Sequence, residues 1–150
     1  MIPTNVILDE ISNLLAADPA TLAPVALACH VHLMKAPFTP GPTTAFSALN
    51  EATFAGSTAK DAGVGPQQEF RDPITGLRIV QLLEPAGGWH WQCTADPTPA
   101  EVIYGFIVTD NTDAVTYGSA LLSAPVTIAA AGQAVDLPWI RFTFAANSPF

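Results

Sequence analysis

The chain has 150 residues, enough for one domain with a real core, and carries 13 acidic against 5 basic residues, a formal net charge of −8. Its cations Lys35, Lys60, Arg71, Arg78 and Arg141 are scattered, whereas phosphate backbones and anionic lipid surfaces need clustered ones, so the reading is no nucleic acid and no membrane partner. Charged residues make up only 12%, against about 25% in typical soluble domains, so either the surface is built of small polar residues or much of it is hidden in an assembly.

Mean hydropathy is +0.33, and a lone monomer usually carries more charge to stay dispersed. No run of about 18 apolar residues suggests a spanning helix. The first residues lack the basic-then-apolar pattern of a secretory signal. Cys29 and Cys93 could pair, but two cysteines are not a disulfide framework, and the plainer expectation is two free, buried thiols.

Over residues 5–17, NVILDEISNLLAA, the spacing of Val6, Ile7, Leu8, Ile11, Leu14 and Leu15 predicts a short amphipathic helix. Asn5 can cap it, Asp9 and Glu10 suit its first turns, and Asp18-Pro19 ends it. Residues 1–20 are thus expected as a helix or arm, and 21–150 as the main domain. Val25–Lys35 reads as a strand, with Cys29, Val31 and Leu33 on one face and His30, His32 and Met34 on the other. His30 and His32 share a face and could reach one ion. Zinc needs three or four ligands, and His90 is the only other histidine, so the spacing alone reads as two ordinary strand histidines and no metal site.

Pro37–Pro42 is a rigid loop. Glu51–Gly56 reads as a short strand and Ser57–Asp72 as a long surface loop. Leu77–Glu84 and Trp89–Thr94 are further strands. Trp89 and Trp91 share a face, as core or interface rings or as a stacking platform for a sugar.

Glu101–Thr109 is apolar on both faces, which predicts a strand covered on both sides, with Gly105 leaving room for a bulge or a neighbouring ring. Asp110–Asp113 supplies turn residues. Tyr117–Leu122 is expected to return, with Pro125 starting a separate strand over Val126–Ile128. Val135–Phe144 closes the series, with Pro138 marking an edge, a bulge or the true start of the strand. Seven or eight strands with regular turn signals predict an all-β fold: an antiparallel β-sandwich of jelly-roll or immunoglobulin-like connectivity.

Three segments taken together resemble a known family. They are Phe38–Pro42 followed by Phe46 and Glu51–Gly56, then Ile103–Thr109, then Leu121–Ile128. In this order they resemble small all-β proteins of tailed-phage structural gene clusters, over roughly residues 30–144. The resemblance implies a virion structural protein, a head decoration (cement) or tail component, located in the virion and assembled in the host cytoplasm. It implies a homo-oligomer, with a trimer favoured, in contact with the major capsid protein or other virion proteins.

No cofactor motif and no ordered Ser/His/Asp or Cys/His set stands out, so no enzyme is expected. Glu84, Asp96 and Glu101 could supply paired carboxylates, but thirteen scattered acids make such pairs by chance. The interface residues expected are Trp89, Trp91, Trp139 and Phe150. The alternative reading is a carbohydrate-binding or adhesin module using Trp89 and Trp91.

Overall fold

A computed structural model describes residues 2–3, 29–41, 44–62, 68–71, 74–75 and 77–144. The helix expected over residues 5–17 and Phe150 lie outside the described residues. Every pairing among the described strands is antiparallel. The strands are β1 (Ile2–Pro3), β2 (Cys29–Met34), β3 (Lys60–Asp61), β4 (Gln68–Arg71), β5 (Arg78–Gln81), β6 (Trp89–Gln92), β7 (Glu101–Asp110), β8 (Thr116–Ile128), β9 (Ala134–Leu137) and β10 (Arg141–Phe144). One 3-10 turn covers Ala48–Asn50. The sheets run β1-β8-β7-β2-β3, β10-β5-β4 and β6-β9. No helix among the described residues is long and apolar enough to cross a membrane.

The nearly all-β class follows from the alternating apolar pattern, but several boundaries differ from expectation. Glu51–Gly56 is not a strand: only Glu51 bridges, to Met34, and a turn follows. The stretch expected as a long loop carries β3 and β4. Pro125 does not start a strand, because β8 runs through it as one 13-residue element. The pairing explains how. Ile103 faces Val126 and Gly105 faces Leu121, so Leu122–Pro125 bulge out of register, where a missing N–H costs no ladder bond. Residues 135–144 split at Pro138 into β9, which pairs with β6, and β10, which pairs with β5. The proline is the corner between two sheets.

The core draws on all three sheets. Val31, Leu33, Ile103, Phe106 and Val108 meet Val80, Phe142, Trp89, Trp91 and Val135 in one buried cluster. Cross-strand pairs Leu33–Phe106 and Val31–Val108 set the β2–β7 register on this face. The same register puts His32 beside Ile107 and His30 beside Thr109 on the opposite face. That face is covered too: Ile107 and His32 are buried, as an apolar run on both sides of β7 implied. Gly105 is required by contact. A Cβ there would sit 2.3 Å from the Ala120 carbonyl oxygen and 2.9 Å from the Phe38 ring. Cys29 and Cys93 are free and buried, and burial pushes the Cys29 thiol up to about 12.

Candidate functional site

The site lies where β2 passes under the β7–β8 turn. β2 pairs with β7 up to Cys29–Asp110, so the turn that follows Asp110 hangs over the polar face of β2. The turn is built by its own side chains. Asp110 Oδ1 accepts the Val115 N–H at 2.9 Å, the Thr112 hydroxyl donates to Asp110 Oδ2, and the Asp113 N–H donates to the Asp110 carbonyl at 3.2 Å. Asp113 has φ of 60°, in the left-handed region that Asp tolerates better than most residues. Its carboxylate points back onto β2.

Asp113 Oδ1 lies 2.8 Å from His30 Nδ1 and 2.9 Å from His32 Nε2, and accepts the Thr109 hydroxyl at 2.8 Å. The outer nitrogen of each ring also meets a carboxylate. His30 Nε2 is 3.1 Å from Asp61 Oδ1, and His32 Nδ1 is 2.8 Å from Glu51 Oε1. Asp61 comes from β3, which pairs with β2 directly opposite His30. Glu51 is placed by its bridge to Met34. His32 is 2% exposed, its ring held against Phe46 with centroids 4.2 Å apart. The Phe46 N–H is in turn tied to the Thr116 hydroxyl on β8 at 3.0 Å.

Burial would raise the Asp113 carboxyl, but hydrogen bonds from His30, Thr109 and His32 outweigh it and hold the group below the usual carboxylate range. The donor atoms of His30, His32 and Asp113 lie within 4.8 Å of one another. His90 is not among them. It sits on β6, paired across the strands with Asp136 at 2.6 Å.

Trp89 and Trp91 are stacked, with centroids 6.3 Å apart, but they are 2% and 1% exposed. Their face is the inner one of β6, so both rings lie in the chain's own core, away from the surface that an interface or a sugar platform would use. Trp91 donates its indole N–H to the Thr58 carbonyl at 3.0 Å, and Lys60 lies over its ring. Trp139 is 51% exposed, with Arg141 stacked 4.5 Å from its ring centre. Two of the three carboxylates singled out for hydrolytic chemistry brace loops. Glu101 accepts the Thr53 N–H at 2.8 Å and Asp96 accepts the Ala131 N–H at 2.7 Å.

The histidine pair was visible in the sequence, but Asp113, Glu51, Asp61 and Thr109 were not associated with it. Asp113 read only as a turn residue. Comparison with family models, with curated proteins and with solved structures finds no match for this chain.

Proposed function

We propose that this chain is a structural protein of a phage particle, most concretely a capsid decoration protein, acting as a homo-oligomer through surface contact. The observation that carries the reading is apolar exposure on a chain poor in charge. Leu49 is 88%, Leu121 50% and Trp139 51% exposed, and residues 121–127 of β8 are without a charge. Such surface gains roughly 25 cal/mol per Å² when covered, offset by the cost of association, and repetition around a shell multiplies weak contacts. The sharing of one core by all three sheets supports the sandwich reading as jelly-roll or immunoglobulin-like layers.

The test is the native mass by light scattering on a sizing column, followed by sedimentation with empty shells of the source virus. The expected result is a trimer or larger closed oligomer that co-sediments with shells. Leu121→Asp and Trp139→Ala should each weaken assembly by at least tenfold while leaving the far-ultraviolet spectrum intact. A monomer that never co-sediments would end this reading.

A further inference from the structure

We propose that His30 Nδ1, His32 Nε2 and Asp113 Oδ1 bind one divalent transition cation of the zinc type, with Asp61 and Glu51 orienting the two imidazoles from behind. This inference stands independently of the virion reading.

Both nitrogens of His30 face carboxylate oxygens, and so do both nitrogens of His32. A neutral imidazole has a single N–H, so it can donate to only one of its two carboxylates; its bare nitrogen would then face an oxygen lone pair. Four such contacts require two positive charges beyond neutral rings. One divalent cation supplies both, at the point where the inner nitrogens and Asp113 Oδ1 converge. Each ring then keeps its N–H on the outer nitrogen, donating to Asp61 or Glu51. That is the carboxylate–histidine–metal arrangement that fixes tautomer and ring direction at metal sites.

The donor set suits the ion. Two imidazoles and one carboxylate match the borderline preference of zinc and its neighbours rather than calcium or magnesium, which take oxygen ligands. With bonds of about 2.1 Å the edges of a tetrahedron are about 3.4 Å. Asp113 Oδ1, now 2.8 and 2.9 Å from the two nitrogens, therefore recedes by about half an ångström on binding. Three protein ligands leave the fourth coordination position of a tetrahedral ion to water. Three carboxylates, two neutral imidazoles and one divalent cation leave a single negative charge, the same as two imidazolium rings would. The buried His32 thereby acquires a partner on each nitrogen without a proton on both.

The test uses the full chain, stripped with chelator and titrated with Zn²⁺ by calorimetry and with Co²⁺ by visible absorption. One ion per chain should bind at micromolar concentration, with Co²⁺ showing the d–d bands of a four-coordinate nitrogen–oxygen site. At a hundredfold excess over Kd, Zn²⁺ should raise the unfolding midpoint by about 5–10 °C. His32 is buried and its replacement can unfold the chain, so the decisive variants are His30→Gln and Asp113→Asn. Each should weaken binding at least tenfold with the far-ultraviolet spectrum unchanged. Glu51→Gln, a positioning residue, should weaken it by about 10–100-fold, and His90→Gln should leave it as it was. Absence of saturable binding of either ion, or binding unaltered in both His30→Gln and Asp113→Asn, overturns the proposal.

Discussion

Replacing Gly105 with Ala tests the packing of the β7–β8 hairpin most directly. The added Cβ would lie 2.3 Å from the Ala120 carbonyl oxygen, 2.9 Å from the Phe38 ring and 3.0 Å from Leu121 Cα. Two of these three neighbours are backbone of the paired strand, so no rotamer change relieves the clash. Separating the pair to an ordinary contact distance of 3.4 Å means moving the Ala120 carbonyl by about 1.1 Å or more, next to the point where the β7–β8 register shifts between Ile103 and Gly105. Overpacking of this kind costs about 1–3 kcal/mol, and the rigidity of the neighbours puts the expected loss near the upper end, about 3 kcal/mol. That corresponds to a drop in melting temperature of about 6–12 °C for a chain of this size. Urea unfolding followed by tryptophan fluorescence reads the loss, with Gly41→Ala as the control. A Cβ at Gly41 meets only the Thr44 hydroxyl at 3.7 Å, an ordinary contact, so that change should stay within about 0.5 kcal/mol. A Gly105→Ala chain as stable as the control would refute the close approach of the two strands.

Two further outcomes follow from buried and hydrogen-bonded groups. Burial would raise the Glu101 carboxyl, but the Thr53 hydroxyl and N–H, the Lys35 charge and the Phe54 N–H outweigh it and lower it. A depressed carboxyl contributes stability that is present above its unfolded value, near 4.5, and is lost as pH falls through the folded value. Glu101→Gln should therefore cost about 1 kcal/mol at neutral pH after solvent screening and flatten the acid limb of the stability curve below that point; an unchanged acid limb would contradict it. Cys29 and Cys93, buried and free, should resist a thiol reagent in the native chain and both react in denaturant, and a fast native reaction of either would show the core to be open.

Much of the fold was legible because strand faces alternate with period two. That rule placed Val31 and Leu33 with the core, marked β7 as covered on both sides, and gave Gly105 a neighbour to accommodate. Turn chemistry at Asp110–Asp113 was equally local, since the Asp110 carboxylate closes the turn by accepting the Val115 N–H and the Thr112 hydroxyl. Two buried thiols followed from number and type alone.

The rest needed pairing. Alternation says that Trp89 and Trp91 share a face, but only the β6–β9 pairing and the apolar residues around it decide that the face is the inner one. It says that His30 and His32 share a face, but not what faces them. Asp113 is more than 80 residues along the chain from either. It meets them because Leu33 and Val31 lock β2 against Phe106 and Val108 in one register and the following turn bends back over the strand. Residue types and spacing along one strand determined the two imidazoles; the long-range register between strands decided which carboxylates surround them. That register is a property of the packed core, where a shift of one residue would turn every buried side chain of β2 outward.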